Sequence, residues 1–383
     1  MFDMLRSETL HPDDLTDADI GAWRALCATR PEFQGPLLGP DFARAVGAVR
    51  PDARVGVWRQ DEEPVGFLAY HQRPGGLARP IGAPLSDYHG VVAREGLDLR
   101  QGIADLGLSG FRFTGLIDPL RMAEPSISAE HEAFLIELTS SAEDYLEALR
   151  AASPKRFKNY RRLDNKLDRE VGAITLRAPD HDPAALAQLL TWKREQLART
   201  GVHDYLAPAW TQRLIEDLFA RQDGPFQGLM INLYVGDQLV AGHFGVRLGD
   251  VYHPWIASTD PTLSAWSPGQ LFLLRAIAAM PDLGLTTYDL GPGHEHYKRP
   301  YALSSRMIGE GMLVASGPRG RSVDASERVW ALAEARSPHM VGRLRRRLDA
   351  IATTELSFAG RARGLAHAIA TRTFRPGAAS EAA

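Results

Sequence analysis

The chain has 383 residues, 44% of them hydrophobic and 24% charged, with 44 basic against 47 acidic side chains and a formal charge of −3. That balance supplies apolar surface for two ordinary domains and argues against a chain that coats nucleic acid by bulk charge, so no DNA partner is expected. A single cysteine, Cys27, excludes an internal disulfide and a cysteine-rich metal site and fits a reducing, cytoplasmic setting.

Residues 1–10 carry Asp3 and Glu8 and no apolar run, which does not read as a signal peptide. Cys27 follows the helical stretch 23–26 and reads as a small packing residue. Residues 55–58 and 65–70 read as strands around the acidic turn 60–64. Residues 79–90 are rich in Gly and Pro but end on Asp87, Tyr88 and His89, an ordered loop whose polar tip either binds an acceptor or shapes the loop. Ser141 caps a helix with Glu143 and Asp144 in its first turn. Ser153-Pro154 starts the next, with the apolar stripe Phe157, Tyr160, Leu163 and Leu167 ending at Gly172. Its other faces carry Lys155, Arg156, Lys158, Arg161, Arg162, Lys166 and Arg169, a solvated face or an anion-binding one.

Helices are predicted over 183–199 and 208–221, then strands 229–235 and 239–246 around the turn Gly236-Asp237. The second hairpin resembles the first, which suggests two related halves. A strand at 251–258 precedes a helix opened by Ser267-Pro268-Gly269. Its apolar run 271–280 is short and broken by Arg275, so no bilayer-spanning segment is expected. A strand at 286–290, the turn Gly291-Pro292-Gly293, a short helix or turn over 294–302 and a strand at 306–315 complete the series. From Gly317 the composition shifts: twelve Arg, no Lys and five acids lie between Arg319 and Arg375. This reads as a separate helical appendage with a frayed tail at 376–383.

Two segments carry chemistry. A helix opening on Ser267, Gly269 and Gln270 presents free N–H groups and a partial positive charge, suited to a pyrophosphate, although an ordinary cap has the same residues. Asp289, His294, Glu295, His296, Tyr297 and Lys298 crowd one strand end, where ligands of α/β sheets bind. Tyr297 and Lys298 read as functional, and Asp289 as either a turn carboxylate or a catalytic one. His243, His253 and Trp255 lie on central strands, as packing or as cleft residues. No histidine pair has metal-ligand spacing with a third ligand, so no metal is expected. There is no nucleophile elbow and no Walker loop.

The motifs Ser-Pro-Gly at 267–269, Asp-Leu-Gly-Pro-Gly at 289–293 followed by Tyr297-Lys298, Arg79-Pro-Ile-Gly-Ala-Pro-Leu-Ser-Asp-Tyr88 and Ser153-Pro-Lys-Arg-Phe-Lys-Asn-Tyr-Arg-Arg162 resemble, in this order, the GNAT-type acyltransferases of the CelD/BcsL group. That group is associated with bacterial exopolysaccharide and cellulose synthesis, and the HfsK-like holdfast-polysaccharide N-acetyltransferases are similar; the Fem aminoacyltransferases resemble it more distantly. The resemblance implies a mixed α/β sheet with flanking helices: a GNAT-like half over 1–138, linker helices and a GNAT acyltransferase half over 139–316, and an arginine-rich helical extension over 317–383. It implies acyl transfer from acetyl-CoA or another acyl-CoA, held by Ser267, Gly269 and Gln270, to an amino sugar or similar amine, small or lipid-linked. Tyr297, Lys298, Asp289, His243 and Glu295 are the candidate catalytic residues, and Asp87, Tyr88, His89, His253 and Trp255 the candidate acceptor-binding ones. The family's pyrophosphate loop is richer in Gly and basic residues than 266–270. An aminoacyl-tRNA-dependent transferase and a catalytically degenerate scaffold therefore stay open.

In the extension, Ser337-Pro338 reads as a helix start with Leu344, Leu348 and Ile351 as its docking face. Arg343, Arg346 and Arg347 are then left for an anionic ligand such as cyclic di-GMP, or for an anionic inner-membrane surface. A solvated face of an Arg-rich chain is the alternative. Removal of the chain after Ser316 is expected to leave donor binding intact.

Overall fold

The computed structural model describes residues 5–293 and 295–373; the expected tail at 376–383 and His294 lie outside them. The first half runs β1 (Leu5–Leu10), α1 (Asp17–Ala28), α2 (Pro40–Gly47), β2 (Ala53–Gln60), β3 (Glu63–Gln72), β4 (Leu77–Pro80), β5 (Val91–Ala93), α3 (Leu99–Asp105), β6 (Gly110–Leu116) and β7 (Ile127–Glu137). Two helices follow, α4 (Ala142–Ala152) and α5 (Pro154–Glu170). The second half repeats the order with β8 (Ile174–Arg177), α6 (Pro183–Thr200), α7 (Ala209–Ala220), β9 (Phe226–Val235), β10 (Gln238–Leu248), β11 (Val251–Thr259), α8 (Pro268–Ala279), β12 (Thr287–Pro292), α9 (Glu295–Lys298) and β13 (Ser304–Val314). The extension folds as α10 (Pro318–Arg336), α11 (Pro338–Thr354) and α12 (Phe358–Thr373).

The local signals act as expected. The Ser141 hydroxyl accepts from Asp144 N at 3.0 Å. Tyr160, Leu163 and Leu167 bury one stripe of α5, while Lys166 lies over the Trp266 ring and Arg275 of α8 pairs with Asp164. Gly236-Asp237 joins β9 to β10. Cys27 is buried, and burial pushes its thiol up to about 12, which suits packing and not nucleophilic attack.

All thirteen strands form one mixed sheet in the order β1-β2-β3-β4-β6-β13-β7-β12-β11-β10-β9-β8, with β5 on β3. The order is symmetric about its middle, and there the last strand of each half has changed places. β13 pairs with β6 of the first half, and β7 pairs with β12 of the second. Helices α1, α2, α6 and α7 cover one face, over a core that runs through both halves. On the other face α8, with α4 and α5, covers the second half, and α3 packs on the first.

The extension is not a loose appendage. Arg50, fully buried, donates to the Thr353 carbonyl at the end of α11; Arg73 donates to the same oxygen and Trp210 Nε1 to that of Thr354. These donors meet carbonyls that the helix end leaves unpaired, where its dipole is negative. The docking face differs from the expected one. Ile351 is buried, but Leu344 is 41% exposed, and Arg345 turns inward to pair with Glu327 and stack on Trp330. Arg343 and Arg346 are exposed, and Arg347 is half-buried.

Candidate active site

Each half contains one parallel strand pair, and both pairs part after two residues. β4 meets β6 only at Leu77–Gly110 and Ala78–Phe111, and β11 meets β12 only at Val251–Thr287 and Tyr252–Tyr288. Strands that diverge expose backbone polar groups, which must be satisfied by something else. In the first half the loop after β4 fills the split. His89 bridges to Leu116, and its Nε2 accepts from the N–H groups of Thr114 and Gly115, both at 3.0 Å. Gly115 permits this approach, since a Cβ there would stand 1.9 Å from the Asp87 carbonyl. Burial lowers His89 to about 3, so it is neutral. Its place is inside the first half, not with the other acceptor-side candidates.

In the second half the split opens into a cleft of about 740 Å³ lined by Asp87, Lys193, His243, Trp255, Ser258, Gly269, His296, Tyr297 and Lys298. Trp255 is the extra residue of a β-bulge on β11, between the pairs Phe244–Ile256 and Gly245–Pro254. Among the described residues, Trp255 Nε1 and Ser258 Oγ are buried without a hydrogen-bond partner. The α8 N-terminus abuts the cleft. Ser267 sits at its cap in a left-handed conformation (φ 51°) without a side-chain capping bond, and Gln270 N turns back to the Ser267 carbonyl. Tyr297 donates to the Gly269 carbonyl at 3.1 Å, and Lys298 Nζ to that of Pro292 at 2.6 Å. Burial raises the Tyr297 phenol and lowers the Lys298 ammonium, which the charges of Asp87 and Asp289 partly restore.

Beneath the cleft lies a buried charge cluster drawn from both halves. Asp289 Oδ1 accepts from Tyr88 Oη at 2.5 Å and from Gly291 N at 2.9 Å. His253 places Nδ1 3.6 Å from Asp289 and Nε2 3.1 Å from Asp87, and Arg306 stands 3.5 Å from Asp289. Gly291 has φ +73°, and a Cβ there would meet Asp87 Oδ2 and His253 Cε1 at 3.2 Å. Burial works against the His253 imidazolium, but the carboxylates of Asp289 and Asp87, one off each ring nitrogen, outweigh it and raise its pKa to about 9. Burial also opposes the Asp289 charge, and His253, Arg306 and Tyr88 overcome it and hold the carboxyl below its usual value. The Tyr88 phenol is pushed well up by burial and then by Asp289.

His243 differs. Its Nδ1 lies 2.7 Å from Tyr288 Oη, and burial, aided by the charges of Lys298 and Lys193, lowers it to about 3. It is a neutral imidazole and a weak proton acceptor. Asp289 is 3% exposed and fully engaged below the cleft. Asp87, its side chain 41% exposed, faces the cleft from the first half, and Glu195 of α6 lines it as well. The Glu295 side chain lies outside the described residues. Sequence reasoning missed Lys193 and Arg306, which carry no motif and arrive by packing. Among the described residues no group of three or more His, Cys, Asp or Glu is placed to hold a metal ion, and no helix is long and apolar enough to cross a membrane.

The imidazolium makes stability depend on pH. Its folded pKa, about 9, exceeds the ordinary 6.5, so its contribution is complete below about pH 6.5 and is lost as pH rises through 9. Urea titrations from pH 6 to pH 10 should show the wild type losing about 3 kcal/mol more than His253→Asn. Parallel curves for the two proteins would mean that His253 is neutral in the fold.

Residues 154–299 match the family model described as acetyltransferase (GNAT) domain. No curated protein matches the sequence. The crystal structure of FemX superposes with a TM-score of 0.51 at 10% identity, covering 79% of this chain and 96% of that one. The C-terminal domain of a putative lysylphosphatidylglycerol synthetase from Agrobacterium fabrum gives 0.47 at 10% identity over 81% and 96%. A tandem GNAT protein from the clavulanic acid biosynthesis pathway gives 0.46 at 11% identity over 82% and 99%. Residues 154–299 are thus similar to a GNAT acetyltransferase domain, within a mixed α/β fold like that of FemX.

Proposed function

We propose that this chain is an N-acyltransferase that moves an acyl group, acetyl first among them, from a CoA thioester to an amino sugar or similar amine. The observation that carries this reading is the split between β11 and β12, which opens onto the α8 N-terminus inside the stretch that matches the GNAT domain. The pyrophosphate lies at that helix end near Gly269 and Gln270. The thioester lies along β11, where backbone N–H groups freed by the bulge at Trp255 stabilise the tetrahedral oxyanion. The acceptor ammonium gives its proton to Asp87, the free amine attacks the thioester carbon to form the C–N bond, and the tetrahedral oxyanion then collapses as the C–S bond breaks. Tyr297 gives its proton to the departing thiolate and is reprotonated by the one the attacking nitrogen sheds on becoming an amide, and Lys298 supplies positive charge beside it. Asp289 and His253 hold Asp87 and Tyr88 in place beneath the cleft.

The resemblance to the CelD/BcsL group supports a precursor of bacterial exopolysaccharide, small or lipid-linked, as the acceptor, met in the cytoplasm or at the inner membrane. The exposure of Arg343 and Arg346 supports an anionic contact there, with cyclic di-GMP or lipid headgroups, that also draws on Arg347. The FemX fold and the basic faces of α5 favour one second reading, an aminoacyl-tRNA donor.

Calorimetry separates these readings. Acetyl-CoA should bind the wild type, and Gly269→Asp should weaken it at least tenfold. A carboxylate within about 4 Å of a phosphate costs between about 1 kcal/mol in water and about 4 kcal/mol near a protein surface. The new Cβ would also meet Thr259 at 3.0 Å and Tyr297 at 3.3 Å. Equal affinities would move the donor site elsewhere, and no binding by either protein would favour the tRNA-dependent reading.

A further inference from the structure

The loop that carries Asp87 and Tyr88 to the second half is held by the C-terminal helices at its outgoing root and through the strand it rests on. It leaves β4 at Pro80, passes beside β6, where His89 bridges to Leu116, and enters β5 at Val91. At the outgoing root Arg79, 12% exposed in its side chain, donates to Asp349 Oδ1 of α11 at 2.6 Å. Three residues on, Gly82 N donates to Nε2 of the fully buried His71 at 2.9 Å, and His71 Nδ1 stands 3.2 Å from Asp52. Asp52 also holds Arg50 and Arg73, the two guanidiniums that donate to Thr353 at the end of α11. On β6, the strand the far end of the loop rests on, Arg112 reaches Asp349 at 3.7 Å and pairs with Glu327 of α10. Two residues further along β6 lie the N–H groups that seat His89.

Ion pairs of this kind could simply dock the helices. Two features argue for more. The loop's outgoing root and the strand its far end rests on converge on one carboxylate, Asp349, and the loop supplies the first half's contacts to the second, Asp87 3.1 Å from His253 and Tyr88 2.5 Å from Asp289. A buried arginine that loses its carboxylate moves toward water or another partner, and here the backbone attached to it is the root of the loop. We propose that Asp349 is a positioning residue for the acyl transfer. By fixing Arg79 and Arg112 it holds residues 81–88 so that Asp87 lines the cleft and Tyr88 and Asp87 keep the Asp289–His253 pair aligned. The C-terminal helices are then part of the reaction machinery, although none of their described residues lines the cleft.

The part that concerns turnover rests on the acyltransferase reading; the placement of the loop does not. The test is therefore read first on His253, by NMR titration of protein labelled in its histidine rings, with the resonance assigned by its loss in His253→Asn. The wild-type imidazole should titrate near pH 9. In Asp349→Asn it should titrate at least one pH unit lower, because Asp87 is no longer held on Nε2, and Asp349→Glu should restore it. Acetyl-CoA affinity should stay within twofold, while KM for the amine rises about tenfold. A folded Asp349→Asn protein with an unshifted His253 overturns the proposal, and so does a shift that glutamate does not reverse. Should Asp349→Asn fail to fold, Arg79→Gln, which leaves Asp349 paired with Arg112, is read in the same way. Absence of acetyl-CoA binding in the wild type would count against a CoA-thioester donor and leave the histidine result standing.

Discussion

Asp289→Ala should lower the stability of the fold by about 3–5 kcal/mol, the usual cost of stranding a buried charge by deleting its partner. The carboxylate it removes faces His253 and Arg306 and accepts from Tyr88 and Gly291 N, so three side chains and a backbone donor lose a partner together. Turnover should fall at least about 10²-fold, the scale associated with misplacing reacting groups by about an ångström. Asp289→Asn keeps the shape and an acceptor for Tyr88 and should lose less stability. Urea denaturation at pH 7 is the measurement. A loss under 1 kcal/mol for alanine would mean that His253 and Arg306 find water or other partners, and that the cluster is not the rigid floor drawn here.

Truncation after Ser316 should also have a large effect, contrary to what the composition of the extension suggests. The cut removes the carbonyls that receive Arg50, Arg73 and Trp210 and the acids that pair with Arg79 and Arg112. A buried donor left without a partner costs about 1–3 kcal/mol, and more when charged. Arg50 and Arg73 keep Asp52, but with Trp210, Arg79 and Arg112 also losing partners the shortened chain should be about 5 kcal/mol less stable, enough to unfold many domains. Thermal melting followed by circular dichroism reads this directly. A truncated protein that melts within a few degrees of the full chain would show that the arginines rehydrate freely and that the helices are dispensable.

Much of the second half was legible because its signals are local. The cap at Ser141, the stripe on α5, the turn at Gly236-Asp237 and the Ser-Pro-Gly opening of α8 each act over a few residues. The polar run after β12 pointed to the cleft for the same reason, and Asp87, Tyr88, His253 and Asp289 do converge. What stayed hidden depends on contacts far apart in sequence. No pattern around residue 349 announces Arg79 and Arg112, and Leu344 looked like a docking residue because periodicity cannot say which face of a helix a neighbour covers. The plugging of the first half by His89 was hidden too, since it depends on how two short strands diverge.

The exchange of β7 and β13 has a consequence for the birth of the chain. A ribosome makes residues 1–137 first, yet β6 has no neighbour on its β13 side until residues 304–314 emerge, and β7 waits for both β12 and β13. The first half therefore spends most of synthesis with an open strand edge, the kind of surface on which chains pair wrongly. Once the last strand is placed the two halves are interlocked, and neither can open without breaking the ladder of the other. The order in which the polypeptide is made thus leaves the closing of both halves to one late event.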